Sequence, residues 1–307
     1  MASGRHAARP AMSIVVVAFN MQRELPRTLR SLSTDMQRGV AAHDYEIVLV
    51  DNGSEPAVEL AAPGTDGAAI TLLRIDDASP SPSRAINLGL EAARAPFIGV
   101  MVDGARIASP GIVRLAMIAS RLSPRVIVGT LGFHLGPSEQ AESVRHGYSR
   151  EEEDRLLAGA AWEQDGYRLF DISSFAGSSR RGWFEPLPES QALFMHRELW
   201  DELEGYDERF ESPGGGLVNL DTYRRACQLQ ETELVVLLGE GTFHQIHGGV
   251  ATNARERNYA VLHDEYRRIK GERFTRPSRC PLYVGSEIRA AARFLQESLE
   301  IPGGTGR

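Results

Sequence analysis

The 307-residue sequence lacks several features that define common protein classes. Its two cysteines, Cys227 and Cys280, are too few and too widely separated for a disulfide framework or a metal knuckle. No apolar run approaches the roughly 20 residues of a membrane-spanning helix, and the N-terminus lacks the hydrophobic region of a signal peptide. The net charge of −7 comes from mixed acids and bases without a basic stripe. We therefore expect a cytoplasmic protein without a nucleic-acid partner, and we leave open a peripheral position at the membrane.

Two common nucleotide-binding motifs are also absent from the sequence. No Gly-x-Gly-x-x-Gly follows the first apolar segment, and no Gly-Lys-Ser/Thr phosphate loop occurs anywhere. The usual dinucleotide-binding and nucleoside-triphosphatase classes are therefore excluded.

Short apolar segments alternate with helical patterns through the first hundred residues. The segments predicted as strands are 13–19, 45–50, 70–74 and 97–102. Helices are predicted from the spacing of Leu25, Leu29 and Leu32 and over 83–93. This alternation predicts an α/β fold with an open, mainly parallel sheet flanked by helices.

Two later segments have clear local patterns. Leu234–Leu238 is an apolar strand that leads into a glycine-rich loop carrying His244 and His247. Ser149-Arg-Glu-Glu-Glu153 has the pattern of a capped helix start with a solvated, acidic first turn.

Polar residues follow each of the four predicted strands. They are Asn20, the run Asp51-Asn-Gly-Ser54, residues 74–79, and Asp103. Each could be a simple turn, since Asn, Asp and Gly are common turn formers. Because ligands of open α/β sheets bind beyond the carboxyl ends of the strands, the four together indicate a binding site.

Four segments in this order and spacing resemble family-2 glycosyltransferases with the GT-A fold. They are Ser13-Ile-Val-Val-Val-Ala-Phe-Asn20, Glu46-Ile-Val-Leu-Val-Asp-Asn-Gly-Ser54, Asn87-Leu-Gly-Leu-Glu-Ala-Ala93 and Phe97-Ile-Gly-Val-Met-Val-Asp103. The resemblance implies a GT-A domain over 12–250, with a nucleotide-binding half (12–107) and an acceptor-binding half (108–250). We expect residues 1–11 to be a disordered tail. Residues 251–307 are predicted to form a helical extension that either packs on the core or mediates a homodimer.

The resemblance also implies the residues of a donor site. Asp51 would bind the nucleotide base, usually uracil, and Asp103 matches the first acid of an Asp-x-Asp motif that meets the ribose and a divalent cation. The other donor-site positions implied are Ala18, Phe19, Asn20, Asn87, Gly104 and Arg106.

The second acid of that motif is missing, because position 105 is Ala105. A single carboxylate binds Mg²⁺ or Mn²⁺ weakly. One alternative is that Arg106 replaces the charge of the metal beside the diphosphate, although Arg106 could equally point to solvent. The other alternative is that a late histidine completes the metal site, with His247 as first choice and His244 next.

The catalytic base presents a similar problem. The resemblance places Asn219 at the position of the base in the inverting members of the family, and an amide cannot accept the proton. Asp221 is one replacement, although it could simply be an acid stabilised at a helix start. Glu211 is another, and a retaining mechanism that needs no such base stays open.

The resemblance implies a hexosyltransferase-like enzyme of glycan biosynthesis. It would move a sugar from a nucleotide-diphosphate donor, a UDP-sugar, to a hydroxyl of a glycan, lipid or small molecule, with Mn²⁺ or Mg²⁺ as cofactor. One alternative is an inactive GT-A domain that binds a nucleotide sugar or a protein partner. A nucleotidyltransferase is disfavoured because no basic, glycine-rich signature follows the first strand.

Overall fold

The computed structural model describes residues 9–60, 67–247 and 259–300 of the chain. These residues form one ten-stranded sheet with helices around it. The strands are β1 (Met12–Ala18), β2 (Tyr45–Asp51), β3 (Ala69–Arg74), β4 (Phe97–Met101), β5 (Arg106–Ala108), β6 (Val126–Leu135), β7 (Ser173–Phe175), β8 (Ala192–His196), β9 (Glu233–His244) and β10 (Leu282–Gly285).

Helices connect most of these strands. They are α1 (Leu25–Ser31), α2 (Ser83–Ala92), α3 (Ile112–Ala119), α4 (Gln140–Arg145), α5 (Arg150–Ala160), α6 (Arg197–Glu202), α7 (Val218–Gln228), α8 (Tyr259–Lys270) and α9 (Ala292–Glu300). Two short 3₁₀ helices cover Gly166–Ile172 and Pro213–Gly215.

The strand order along the sheet is β10-β9-β6-β8-β4-β1-β2-β3. The strands β3, β2, β1 and β4 are mutually parallel, and so are β6, β9 and β10. Between these two groups, β8 runs antiparallel to both β4 and β6. The predicted open α/β sheet is therefore confirmed. Because β8 is antiparallel, the segment before β8 lies at the same edge of the sheet as the loop after β4.

The central strands are buried on both faces, as their continuous apolar sequences predict. Every residue of β1, β2 and β4 is buried. Alternate residues of these strands belong to two separate apolar clusters, one on each face of the sheet. The first four strands and the helices α1 and α2 therefore lie where the sequence predicts them.

The chain beyond residue 258 differs from the predicted helical extension. It contains α8 and α9, but Leu282–Gly285 forms β10, which pairs in parallel with the edge strand β9. The segment therefore contains one strand besides its two helices, since this short apolar stretch satisfies its backbone groups on a free sheet edge. The ring of Phe294 in α9 packs 4.8 Å from that of Phe133 in β6, so the extension packs on the core.

Two further predictions are corrected by the structure. Ala11 donates a backbone hydrogen bond to Asp44 O at 2.8 Å, so the ordered chain begins before residue 12, while residues 1–8 lie outside the described residues. Ser149 caps α5 as predicted, but Glu153 in its first turn is fully buried rather than solvated. No helix in the described part of the chain is long and apolar enough to cross a membrane.

Candidate active site

The loop after β4 folds around the carboxylate of Asp103. Asp103 Oδ1 accepts the backbone N–H of Ala105 at 3.0 Å, and Oδ2 accepts Arg106 Nε–H at 3.0 Å. The side chain of Arg106 is 11% exposed. Arg106 therefore does not point to solvent, and its guanidinium instead neutralises Asp103 from the protein side.

Position 105 faces the apolar core. Ala105 is fully buried in the apolar cluster that contains Ala18 and Leu25, and its carbonyl accepts the N–H of Gln245 at 2.9 Å. An acid at this position would lie in that core, so the alanine is explained by packing. Gly104 packs equally closely, because a Cβ on it would lie 3.2 Å from Val17 O.

The structure brings together Asp103, His244 and His247, the three residues that the sequence suggested as metal ligands. β5 pairs with the end of β9, which sets Arg106 opposite His244. His244 Nε2 lies 3.7 Å from Asp103 Oδ2 and 3.1 Å from His247 Nε2, and one ligand atom from each residue lies within 4.8 Å of the others. Ligands on adjacent corners of a transition-metal ion at about 2.1 Å are roughly 3 Å apart. These three residues could therefore hold one divalent cation.

Gln140, at the start of α4, orients one of these histidines. Its Oε1 lies 2.6 Å from His244 Nδ1, so Nδ1 carries the proton and the lone pair of Nε2 faces the cluster. The backbone N–H of Gln140 donates to His134 Nδ1 at 2.9 Å, which fixes α4 on β6. Gln140 therefore sets the tautomer of His244, as the hydrogen-bond partners of metal-binding histidines do.

The loop carrying His247 is held by α5. Glu153 Oε2 accepts the backbone N–H of Ile246 at 2.8 Å, and Arg23 Nη1 donates to the carbonyl of Ile246 at 3.1 Å. Burial raises the pKa of Glu153 to about 7, although Ile246 N–H and Arg23 oppose the shift. Burial also lowers the pKa of His247, against the attraction of Asp103, which favours the neutral imidazole that a metal requires.

On the donor side, Asp51 organises the loop after β2. Its carboxylate accepts backbone N–H groups from Ser54 at 2.8 Å and Val58 at 3.0 Å, and Arg74 Nη1 at 2.6 Å. Burial opposes the ionisation of Asp51, but these hydrogen bonds outweigh it and hold its pKa below the usual range. Because Asp51 is 1% exposed, it shapes this loop from inside rather than presenting an open carboxylate.

The end of β1 lies beside that loop. Ala18 is buried and accepts the N–H of Asn52 at 2.8 Å, and the backbone N–H of Asn20 donates to Ser54 Oγ at 2.9 Å. Phe19 is 52% exposed at this point.

Asn87 has a different environment from the other predicted donor-site residues. Asn87 Oδ1 accepts the backbone N–H of Tyr206 at 2.8 Å, and Asn87 Nδ2 donates to the backbone carbonyl of Tyr206 at 2.9 Å. The same Nδ2 donates to Glu208 Oε1 at 2.8 Å. These contacts make Asn87 a support of the segment after α6.

The candidates for the base also differ from one another in their surroundings. Asp221 is 1% exposed and lies 2.8 Å from Arg225 Nε, 2.9 Å from Lys270 Nζ and 3.2 Å from Tyr266 Oη. This geometry is that of a structural ion pair and disfavours Asp221 as a base. Glu211 is exposed, and its backbone N–H donates to Glu265 Oε1 at 3.0 Å.

Asn219 bonds a carboxylate that sequence reasoning missed. Its Nδ2 donates to Glu189 Oε2 at 2.6 Å and to Ser190 O at 3.0 Å. One signal could have revealed Glu189, because a polar run, Glu189-Ser-Gln191, directly precedes the apolar strand β8. In an antiparallel strand, the amino end meets the edge where parallel strands end. Gln140 lacks any such signal in the sequence.

Comparison with known proteins supports this fold. The family model "Glycosyl transferase family 2" matches residues 13–174, which is more than half of the chain. A solved structure of S. aureus TarS residues 1–349 in complex with UDP-GlcNAc has a TM-score of 0.51 at 12% identity, and the match covers 94% of this chain and 71% of that chain.

Other TarS structures match less well. The 1–349 fragment gives a TM-score of 0.48 at 12% identity, covering 94% of this chain and 70% of that one. Another structure of S. aureus TarS gives a TM-score of 0.47 at 12% identity, covering 96% of this chain and 44% of that chain. No curated protein sequence matches the chain. The sequence match over residues 13–174 and the shared architecture show that this chain belongs to glycosyl transferase family 2 and is a glycosyltransferase with the GT-A fold.

Proposed function

We propose that this protein transfers a sugar from a UDP-sugar to a hydroxyl acceptor, with a divalent cation held by Asp103, His244 and His247. The observation that carries the proposal is the convergence of these three ligand atoms beyond the carboxyl end of β4. Open α/β sheets bind their ligands at such an edge.

The donor atoms favour Mn²⁺ over Mg²⁺. Two imidazoles and one carboxylate suit a first-row transition metal, whereas Mg²⁺ prefers an all-oxygen shell. A cation at this position would neutralise charge on the departing diphosphate. Arg106, which donates to Asp103 through Nε and is only 11% exposed, would hold that carboxylate in place beside the cation.

The nucleoside would lie across the ends of β1 and β2. The exposed ring of Phe19 offers a stacking surface, and the loop built on Asp51 and Asn20 offers backbone groups to the base. The TarS structure that holds UDP-GlcNAc shares this fold, which favours a uridine nucleotide as the donor here.

The test is to titrate UDP, GDP and UDP-sugars with and without Mn²⁺ and to follow cleavage of the donor. We expect UDP to bind at least tenfold more tightly with Mn²⁺ than without it, and His247→Ala to abolish that difference. Binding that Mn²⁺ leaves unchanged but that Arg106→Ala abolishes would instead support Arg106 as the replacement for the metal. Failure to bind any nucleotide would overturn the donor assignment.

A second candidate function is a nucleotide-sugar binding module without catalysis. It is favoured by the amide at position 219 and by the ion pairs that engage Asp221. This candidate predicts Mn²⁺-dependent binding of UDP-sugars with no cleavage. Homodimerisation, a peripheral position at the membrane and the identity of the acceptor remain predictions.

A further inference from the structure

Asn219 has an amide where a base is expected, and this amide is fully engaged with its neighbours. Nδ2 donates to Glu189 Oε2 and to Ser190 O, while Oδ1 accepts Tyr206 Oη–H at 3.3 Å. Asn219 is 8% exposed. The residue is therefore built to hold the carboxylate of Glu189 in one position.

Sheet topology brings Glu189 to the edge of the sheet that carries the metal ligands. Ala192, the first residue of β8, pairs with Met101, the last residue of β4. Asp103 follows Met101 by two residues, and Glu189 precedes Ala192 by three. Since the two strands are antiparallel, both carboxylates extend beyond the same end of neighbouring strands.

A second set of contacts links Glu189 to the histidines. Gln191, which donates to Glu189 Oε1 at 2.7 Å, packs over Gly132 in β6, where a Cβ would lie 2.5 Å from Gln191 Cγ. His134 follows Gly132 by two residues, about 7 Å along a strand, and its ring centroid lies 5.8 Å from that of His244. These contacts place Glu189 at the same edge of the sheet as the predicted metal ligands.

The surroundings of Glu189 differ from those of Asp221. The side-chain donors to Glu189 are the neutral amides of Gln191 and Asn219, and no ion pair to Glu189 occurs within residues 9–60, 67–247 and 259–300. Each carboxylate oxygen has two lone pairs, so each retains room for a further donor. Glu189 is also only partly buried, so an acceptor hydroxyl can reach it.

We infer that Glu189 is the general base of this glycosyltransferase and that Asn219 is its positioning residue. The acceptor hydroxyl transfers its proton to a carboxylate oxygen of Glu189 as the acceptor oxygen bonds to the anomeric carbon. The bond from that carbon to the diphosphate oxygen breaks, and its electron pair leaves with UDP.

An amide at position 219 is consistent with this role. A second carboxylate in its place, 2.6 Å from Glu189, would repel the first and favour a shared proton. The family resemblance implies a catalytic carboxylate at position 219 on α7, whereas here the carboxylate is Glu189, in the segment before β8. This inference rests on the proposed function, since it requires a UDP-sugar donor.

The test uses hydrolysis of a UDP-sugar, in which water is the acceptor, so the natural acceptor is not needed. We expect Glu189→Gln to lower kcat at least 100-fold and to remove the acidic limb of its pH profile, with UDP affinity within twofold of wild type. Glu198→Gln, at an exposed site on α6, is the matched control and should leave kcat unchanged.

Moving the carboxylate from position 189 to position 219 distinguishes a catalytic role of Glu189 from a role in folding. Asn219→Asp should shift the acidic limb of the kcat profile to higher pH, because two carboxylates then share one site. The double variant Glu189→Gln/Asn219→Asp should recover at least tenfold over Glu189→Gln, because it again has one carboxylate beside one amide.

Two results would overturn the inference. One is Glu189→Gln cleaving the donor within fivefold of wild type with the same pH profile. The other is a wild type that binds UDP-sugars without ever cleaving them. Failure of the wild type to bind any UDP-sugar would instead reject the proposed function itself.

Discussion

At the scale of single residues, the site depends on which direction each side chain faces. Asp103 and His244 approach one another because β5 pairs with the end of β9, while Ala105 between them faces the core. We propose that the ligand missing from the Asp-x-Asp pattern is replaced by His247, from a loop more than 140 residues further along the chain. An acid at position 105 would restore the Asp-x-Asp motif in the sequence, but its carboxylate would face the apolar core and not the metal ligands.

Substitution Ala105→Asp tests this view of position 105. We expect it to lower the free energy of unfolding by roughly 2–4 kcal/mol, since it buries a carboxylate in an apolar cluster. Urea unfolding measures the loss, and Ala105→Ser is the smaller polar control. An unchanged stability with tighter Mn²⁺ binding would show that position 105 faces the metal.

Gln140 provides a test of the orientation of His244. Gln140→Met removes the acceptor of His244 Nδ1–H, and we expect Mn²⁺ affinity to fall about 10- to 100-fold. Gln140→Glu keeps an acceptor and should retain most of the affinity. Equal affinities in the two variants would exclude a role for this hydrogen bond in metal binding.

Some residues of the candidate site can be predicted from the sequence, and others cannot. Asp103 follows a clear strand, and both histidines lie at a recognisable strand end, so local pattern and family resemblance select all three as candidate ligands. Gln140 becomes relevant only through its contact with His244, 104 residues away, and the polar run before β8 gains its role only through the contact of Glu189 with Asn219, 30 residues away. No periodicity in a single sequence reports such pairings.

At the scale of elements, α5 is the main surprise. Its capped, acidic start predicts a solvated helix, yet Glu153 turns inward and bonds the loop of His247. The periodic pattern predicts where the helix lies, while the partner of one buried acid depends on tertiary packing. Similarly, the apolar segment Leu282–Gly285 is too short for its sequence pattern to predict a strand. It forms β10 because β9 offers a free edge.

The buried Glu153 predicts a pH dependence of stability. Because its pKa is raised from 4.5 to about 7 in the folded state, the folded protein binds more protons, and stability falls as pH rises between these values. Glu153→Gln should remove this loss, which we expect to be on the order of 1–3 kcal/mol at pH 8 relative to pH 5.

The measurement is urea unfolding at a series of pH values, with the exposed Glu163→Gln as control. A Glu153→Gln variant whose stability parallels wild type at every pH would contradict the assignment of this slope to Glu153.

At the scale of the whole molecule, the C-terminal segment completes the sheet and the core. Phe294 is 1% exposed and packs with Phe133 and Phe175 at ring-centroid distances of 4.8 Å. The predicted boundary at residue 250 remains a prediction. Even so, β10 belongs to the same sheet as the preceding strands, and α9 packs on the same apolar core.

Phe294→Ala should therefore destabilise the whole protein. We expect a loss of about 3–5 kcal/mol in the free energy of unfolding, because a large aromatic cavity opens beside β6. Leu299→Ala on the same helix is the control, since Leu299 is 74% exposed. A separate, early unfolding transition would indicate that the C-terminal segment folds independently.

The most direct test of the proposed metal site is an electron spin-echo measurement of Mn²⁺ bound together with UDP. We expect modulation from two imidazole nitrogens, reduced to one in His247→Ala and in His244→Ala, because both Nε2 atoms face the same point as Asp103. A spectrum without nitrogen modulation, or one unchanged by both substitutions, would exclude the two histidines as metal ligands.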